Sequence, residues 1–267
     1  MKKFKKALSM LMSVCIFTGM LIISGFTQNV QAVETNQTNV VNNDVTKEDN
    51  PVELYYAKFE FIGYYAGSTH GYIRVKNLAY DKKVIVHYAE NYGKSWQDKN
   101  AEYVKTNPDG SEIWRFNITT KYQGSEFAIK YEVNGKTYWD NNNGKNYSVG
   151  LTYHDVQLGR NNICVKLSSF SPDSEYEKLS AKICVRNTGK KPTNVKLRYS
   201  QDNWKTYKEV DAEPAQSYGN EVLDYIARTN DVDKTSKDIK YAVYAVIDGV
   251  EYCDDNFGSY YSEDVRY

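Results

Sequence analysis

The sequence predicts an all-β protein with two tandem immunoglobulin-like β-sandwich modules, preceded by an export signal and a disordered tether. Three observations predict this fold class. Apolar and polar residues alternate in short runs, turn-forming residues separate those runs, and the same pattern returns about 110 residues later. The length of 267 residues also suits two domains better than one.

The first 32 residues have the features of a secretory signal. Four lysines lie within the first six residues, residues 7–26 are mostly apolar, and Ala32 ends a small-residue cleavage pattern. A retained membrane anchor is the alternative, because the apolar stretch approaches the length that spans a bilayer. Residues 33–51 are polar and lack periodicity, which predicts a disordered tether. We therefore expect cleavage after Ala32 and a secreted, extracellular protein.

Charge and cysteine content restrict the classes of partner. Four of the 34 basic residues lie in the export signal, so 30 basic residues face 34 acidic residues in the rest of the chain. This mildly acidic body argues against nucleic acid or anionic lipid as the main partner. Three cysteines remain after cleavage and allow at most one internal disulfide, with burial as small apolar residues the favoured interpretation: Cys164, Cys184 and Cys253.

Residues 52–150 hold the clearest strand patterns. Ile73 and Val75 share one face of a short run. Residues 127–133 place Phe, Ile, Tyr and Val at every second position, which predicts a strand with one buried face. The Asn134-Gly135 pair then predicts a two-residue hairpin turn into the next strand.

The pattern returns in residues 157–267, after a linker at residues 151–156. Lys94-Ser95-Trp96, for example, recurs as Lys205-Thr206-Tyr207. A single long period indicates domain duplication rather than a solenoid. The second copy is divergent, and its polar residues 213–238 are interpreted as an extended loop.

The sequence gives little support for catalysis or metal binding. Its three histidines are widely separated, and it lacks the common zinc-protease, nucleophile-elbow and phosphate-loop motifs. A pair of carboxylates can still meet in space, so an accessory glycosidase stays an alternative. Residues 140–144 look like a calcium loop, but Leu151 stands where an EF-hand needs Glu, which leaves only a calcium site of another kind open. We predict no catalytic residue, no metal and no cofactor.

Residues 138–147 combine aromatic and amide side chains. An aromatic ring covers the apolar face of a sugar, and an amide both donates to and accepts from hydroxyl groups. Tyr138 and Trp139 are neighbours on a predicted strand, so one should be buried and the other exposed. A core position for Trp139 and a plain turn for the Asn run are the alternatives. The combination favours a sugar-binding surface.

Three segments of the first module resemble carbohydrate-binding module family 21, whose members include starch-binding domains of fungal glucoamylases and glycogen-targeting domains of phosphatase-1 regulatory subunits. They are residues 75–84, 126–135 and 138–147. The resemblance implies a β-sandwich that binds α-1,4-glucan, such as starch or glycogen, at two surface sites. The second module resembles the family only weakly.

The resemblance also implies the residues of each site. Trp96 and Trp139 match stacking positions of one site, whose third stacking position holds Ala128 here. In the other site, Ser111 stands where a second tyrosine is expected, so Tyr103 is its candidate substitute. The predicted carbohydrate-binding residues of the first module are Trp96, Trp139, Asn141, Asn142, Asn143, Asn146, Tyr80, Lys82, Asn77, Tyr103 and Lys130.

The second module departs further from the family. Cys253 stands at the position of Trp139, and Phe257 at that of Asn143. We expect this module to bind sugar weakly, differently or not at all, with three candidate contacts: Trp204, Tyr207 and Tyr260.

Two expectations about partners follow. The docking motif of the phosphatase-targeting members is absent at residues 74–77, which agrees with export. An α-glucan polysaccharide is the predicted ligand, and an extracellular amylase is a candidate partner. The alternative is a structural or protein-binding pair of modules that has lost sugar binding.

Overall fold

The computed structural model describes residues 50–63, 66–90, 95–120, 124–150, 155–171, 178–217, 221–233 and 238–264. The predicted export signal and the tether up to residue 49 lie outside this part of the chain. The chain from Pro51 onward forms one compact unit. Within the described ranges, no helix has the length and apolar content needed to cross a membrane.

The described residues contain β-strands and no helix, so the all-β fold class is confirmed. The strands are β1 (Val52–Gly63), β2 (Ala66–Val75), β3 (Lys82–Glu90), β4 (Ser95–Asn100), β5 (Glu102–Thr106), β6 (Glu112–Thr120), β7 (Gly124–Val133), β8 (Lys136–Asp140), β9 (Tyr147–Gly150), β10 (Val156–Leu158), β11 (Ile163–Phe170), β12 (Leu179–Arg186), β13 (Thr193–Ser200), β14 (Lys208–Asp211), β15 (Glu213–Pro214), β16 (Val222–Thr229), β17 (Asp238–Ile247), β18 (Val250–Asp254) and β19 (Tyr261–Asp264).

The first ten strands form two antiparallel sheets. One sheet has the order β10-β1-β2-β6-β5, and the other has the order β4-β3-β7-β8, with β9 also paired to β7. Inward side chains of both sheets make one apolar core, in which Ile73 and Phe127 are fully buried. The predicted alternation of β7 is confirmed. Asn134 and Gly135, with φ of 52° and 71°, form the predicted hairpin turn between β7 and β8.

Strands β11 to β19 form a second pair of sheets around a second core. Their orders are β11-β12-β16-β15 and β14-β13-β17-β18, with β19 also paired to β17. If the strands of each half are numbered from its first strand, both halves have the same strand order in both sheets. The one difference among the described strands is β10, which extends the first sheet of the first half. The core contains Ile163, Ile183 and Val243, all fully buried.

Residues 213–238, predicted as an extended loop, instead contain β15 and β16, so that expectation is wrong. Strand β16 pairs along its whole length with β12. Tyr225 and Ala227 of β16 pack in the second core, whereas Val222 packs in a separate cluster between the two halves. Val222 and Asp224 on the other face of β16 are buried as well, and only Arg228 is exposed, so its sequence lacks the alternation that marks a half-exposed strand.

The two halves share a buried apolar contact. The cluster joins Tyr56 of β1 to Val156 and Leu158 of β10 and to Cys164, Cys184 and Val222 of the second half. Lys58, almost fully buried, donates from Nζ to the carbonyl oxygen of Val165 at 2.7 Å. The hydrogen bond satisfies an ammonium group that burial would otherwise destabilise.

The residues predicted as a linker end in a strand. Val156 begins β10, which pairs antiparallel with β1 at the edge of the first sheet. After β10 the backbone of Gly159 passes so close to Leu54 that a Cβ atom there would lie 2.0 Å from the Leu54 carbonyl oxygen. Only glycine fits at this position, where the chain leaves the first sheet on its way to the second half.

Candidate functional site

Trp96 and Trp139 lie on the outward face of the β4-β3-β7-β8 sheet, with His87 between them. The His87 ring stacks on Trp96, with ring centroids 4.8 Å apart and planes 13° apart. It meets Trp139 at an angle of 80°, with centroids 5.7 Å apart. Trp96 is 37% exposed and Trp139 is 44% exposed. We call these three residues the aromatic platform.

Strand alternation explains why Trp139 faces water. In the β7–β8 pairing, Tyr138 lies opposite Tyr131, and both pack on the first core. Trp139 lies opposite Lys130 on the other face. Tyr138 packs half-buried on the core and Trp139 is exposed, so the adjacent rings face opposite ways as expected, and the core position considered for Trp139 is excluded.

Charged side chains brace the aromatic platform. His87 Nδ1 and Asp98 Oδ1 are 2.6 Å apart, so an imidazole N–H at this nitrogen donates to the carboxylate and fixes the ring plane. Lys130 Nζ lies 6.0 Å from the centroid of the Trp139 ring, within cation–π range. The same ammonium contacts Glu132 at 2.6 Å, and this hydrogen bond raises the pKa of Lys130.

Sequence reasoning missed His87 as a member of the site. In the β3–β7 pairing His87 lies directly opposite Ala128, the position where the family resemblance implies a third stacking residue. The His87 ring therefore fills space beside this small residue. His87 follows the buried Val86 on β3, so strand alternation directs its half-buried ring to the outward face. The register that sets it beside Ala128 depends on strand pairing, which no local pattern specifies.

The Asn run forms a tight loop in which several amides bond to the protein itself. Asn141 Oδ1 accepts from the Gly144 N–H at 3.0 Å, and Asn142 Nδ2 donates to the Asn146 carbonyl at 3.0 Å. Asn146 Nδ2 donates to Glu126 Oε1 at 2.7 Å. Asn142, Asn143 and Asn146 have positive φ, which Asn tolerates better than most residues. The Asn run therefore forms a turn. Sugar contacts of its four amides, those of Asn141, Asn142, Asn143 and Asn146, stay a prediction.

Asp140 anchors this loop beneath the platform. Its carboxylate is buried and accepts from the Leu54 N–H at 2.7 Å and from the Tyr147 hydroxyl at 2.9 Å. These bonds tie β8 to β1 and β9. Asp140 follows Trp139 directly, so the anchor also fixes the strand that carries the exposed indole.

Only some of the residues predicted for the second site lie close together in the structure. Lys82 Nζ contacts Glu112 Oε1 at 2.7 Å and donates to Asn77 Oδ1, and the Lys82 side chain is only 5% exposed. The Trp114 indole donates to Glu112 Oε2 at 2.9 Å and contacts the Tyr103 ring edge-on. Sequence reasoning missed Glu112 and Trp114. Lys82 therefore has a role in holding the protein together, and only Tyr103 offers a largely exposed ring in this cluster.

Tyr80 and Ser111 complete the predicted second site. Tyr80 is 96% exposed, the highest value among the large apolar side chains of the described residues. Ser111 is buried, and its hydroxyl donates to Asp109 Oδ1 at 2.6 Å. Ser111 thus offers no surface to a ligand, which agrees with the expectation that this site lacks its second tyrosine.

Residues 46–150 match the model of the carbohydrate/starch-binding module, family 21. We call this segment, which is less than half of the chain, the family 21 module after the model that it matches. It is 40% identical over 86 residues to protein phosphatase 1 regulatory subunit 3B of Homo sapiens, a match that covers 30% of each chain. It is also 46% identical over 93 residues to glucoamylase 1 of Rhizopus oryzae, a match that covers 33% of this chain and 15% of the relative. The chain therefore spans less than a third of the length of either relative.

Solved structures of the module are also similar in sequence. One is the starch-binding domain of Rhizopus oryzae glucoamylase in complex with β-cyclodextrin and maltoheptaose, with 37% identity, a TM-score of 0.32, and coverage of 39% of this chain and 96% of that one. Another is the carbohydrate-binding module of the muscle glycogen-targeting subunit of protein phosphatase-1, with 32% identity, a TM-score of 0.26, and coverage of 36% and 75%.

The second half, outside the matched segment, has a different cluster at the equivalent face. The Arg198 guanidinium lies 4.8 Å from the centroid of the Tyr207 ring and 4.1 Å from that of Tyr244. It also bonds Glu209 at 2.6 Å. Cys253 lies opposite Tyr244, as Trp139 lies opposite Lys130 in the family 21 module. An arginine thus occupies one face of Tyr207, although this ring is 41% exposed.

Trp204 and Tyr260, the other candidates of the second half, pack against each other. Their ring centroids are 4.4 Å apart. The Trp204 indole nitrogen is buried and has no hydrogen-bond partner within the described residues. Trp204 therefore contributes mainly to packing in this structure rather than to an exposed stacking surface.

Proposed function

We propose that this protein binds α-1,4-glucan without cleaving it, with the aromatic platform of the family 21 module as its main contact. The observation that carries the proposal is the pair of exposed indoles held on one sheet face by His87. Apolar C–H groups of a glucose ring stack on such faces, and nearby polar groups bond its hydroxyls. The carbohydrate/starch-binding family model and the glucoamylase relative support glucan as the ligand class.

The expected affinity of a single platform is modest. Stacking of a planar ligand on an aromatic side chain contributes roughly 1–3 kcal/mol per ring. Two rings, less the cost of ordering the sugar, correspond to a dissociation constant on the order of millimolar to micromolar. Tyr103 and Tyr80, the exposed rings of the second predicted site, add contacts along a polymer chain and raise its avidity.

The proposal of binding without cleavage rests on the shape and charge of the molecule. The platform is an exposed sheet face. A separate groove of about 590 Å³ lies beside β2, β4 and β6. Of its described lining residues Glu102 is the only one with a carboxylate, and that group is paired with Arg115 at 2.8 Å. Most glycoside hydrolases use two carboxyl groups across the bond, whereas the carboxylates beside the platform, Asp98 and Glu132, are paired with His87 and Lys130.

The test is native electrophoresis of the full chain in gels that contain soluble starch or glycogen. We expect retardation in both gels, none in a gel with dextran, whose linkages are mainly α-1,6, and release of the retardation by maltoheptaose. Unchanged mobility in starch and glycogen would contradict the proposal and favour the structural or protein-binding alternative. Release of reducing sugar from starch would instead identify the accessory glycosidase.

We propose that the second half is a divergent copy of the module with little sugar affinity. The matching strand orders and the recurring residues support a copy. The arginine stacked on Tyr207 supports weak binding, because it covers one face of the ring.

Replacement of Tyr207 by alanine is therefore expected to leave retardation in the starch gel unchanged within about twofold. The alanine variant of Trp96, the equivalent residue of the platform, provides the comparison. A loss of retardation in the Tyr207 variant as large as in the Trp96 variant would show that the second half binds glucan after all.

Secretion and a partner amylase complete the proposal. The lysine-rich start, the apolar stretch and the cleavage pattern up to Ala32 support export. An N-terminal sequence that begins at Val33 in protein from the culture medium is the expected result. Protein retained in cells with an intact Met1 would contradict export. An extracellular amylase that co-elutes with the protein from starch would support the partnership.

A further inference from the structure

Two buried cysteines face each other across neighbouring strands. Cys164 of β11 and Cys184 of β12 are direct partners in the antiparallel pairing, and both are fully inaccessible to solvent. Their side chains share the apolar cluster between the two halves, so they point to the same side of the sheet. Cys253 lies on β18 of the other sheet.

The geometry of this pair can be derived from the neighbouring backbone bonds. The Arg186 N–H donates to the Asn162 carbonyl, and these residues lie two positions from the cysteines in the same register. Cross-strand pairs alternate between hydrogen-bonded and non-hydrogen-bonded, so the cysteine pair is again of the hydrogen-bonded type. Its Cα atoms are then about 5.5 Å apart. Disulfides span Cα distances of roughly 4.4–6.8 Å.

We propose that Cys164 and Cys184 form the one internal disulfide of this protein when it folds in an oxidising medium. The cross-link would join β11 to β12 beneath the contact between the two halves. It relies on the proposed export for its oxidant in the organism, but not on glucan binding. The structure holds both residues as thiols.

The reaction is thiol–disulfide exchange with a low-molecular-weight disulfide. One cysteine thiolate attacks the small disulfide, breaks its S–S bond, forms a mixed disulfide and releases one small thiol. The second cysteine thiolate then attacks the protein sulfur of the mixed disulfide and releases the second small thiol. Two protein thiols are oxidised, one small disulfide is reduced, and the two protons end on the released thiols.

Burial of the cysteine thiols determines the stage of folding at which the disulfide forms. The Cys184 thiol donates to Asp224 Oδ1 at 3.0 Å, and desolvation raises the pKa of Cys184, so little thiolate exists in the folded protein. Oxidation therefore precedes the packing of the two halves. Asp224 loses the thiol donor on oxidation but keeps the Lys166 ammonium, 3.8 Å from its other carboxylate oxygen.

The test is refolding of the full chain from urea in a mixture of oxidised and reduced glutathione. Remaining thiols are then blocked with iodoacetamide in denaturant, and tryptic peptides are analysed without reduction. We expect residues 161–166 and 183–186 to appear as one linked species, 2 Da lighter than the two thiol peptides together. The Cys253→Ser variant should give the same link.

A second measurement compares wild-type protein in two media, so that its result does not depend on whether a cysteine variant folds correctly. Wild-type protein refolded in the glutathione mixture should have a higher midpoint of urea unfolding than wild-type protein refolded with a phosphine reductant. The Cys164→Ala/Cys184→Ala double variant should have one midpoint in both media. Recovery of both peptides in alkylated form, or linkage of either to Cys253, would overturn the proposal.

Discussion

Replacement of Trp139 by alanine is expected to weaken binding of maltoheptaose about 10- to 100-fold, because one stacking contact is worth roughly 1–3 kcal/mol. Trp139 is exposed, so its removal costs the fold little. It also supplies the ring that Lys130 and His87 contact, so these side chains lose their support at the same time. Isothermal titration of the full-length variant and wild type measures the change.

Two companion variants make this result specific. Trp139→Phe keeps an aromatic face and should recover most of the affinity. Phe61→Ala removes an aromatic side chain that is 57% exposed on β1, in the other sheet, and should bind as wild type does. If Trp139→Ala binds maltoheptaose as tightly as wild type while its urea midpoint is unchanged, the platform is not the binding site.

Replacement of Asp140 by alanine is expected to lower the free energy of unfolding by about 2–4 kcal/mol. The variant leaves the Leu54 N–H and the Tyr147 hydroxyl without their acceptor in a buried setting. Each buried donor that is left without an acceptor lowers the free energy of unfolding by about 1–3 kcal/mol. Urea unfolding followed by tryptophan fluorescence measures the loss.

Asp81→Ala is the matched control, since Asp81 is exposed and should change stability by less than about 0.5 kcal/mol. Asp140→Asn should fall between the two, because its single amide oxygen keeps part of the acceptor function. Equal stability of the Asp140 and Asp81 alanine variants would show that the anchor bonds contribute nothing net.

The sequence predicted the strands that have one face towards solvent. Residues 127–133 alternate because β7 buries one side fully and leaves Lys130 and Glu132 of the other side half-buried. It failed at β10, which packs against the opposite half of the molecule, and at β16, whose first residue does so. Val156 and Val222 pack in the cluster between the halves, a contact between residues far apart in the chain. No local periodicity encodes such burial.

Within the site, residue types were easier to predict than partners. Trp139 was found because it stands beside an amide-rich turn, and Trp96 because it matches a stacking position of the family that the first module resembles. His87 was missed because its role comes from the register with Ala128. The anchor at Asp140 recurs at Asp254, which accepts from the Val165 N–H at 2.8 Å. Each aspartate ends the corresponding strand of its half, β8 or β18, but only the structure shows what the carboxylates bind.

The edge strand β10 has a practical consequence for anyone who wishes to use the family 21 module as a fusion tag. A fragment that ends at residue 150 would lack β10, so β1 would become the edge strand and its main-chain groups near Ala57 would be exposed. The Tyr56 ring, which is 1% exposed in the full chain, would also face solvent. Uncovered margins of this kind recruit other chains and promote aggregation. A portable version should therefore continue through Leu158.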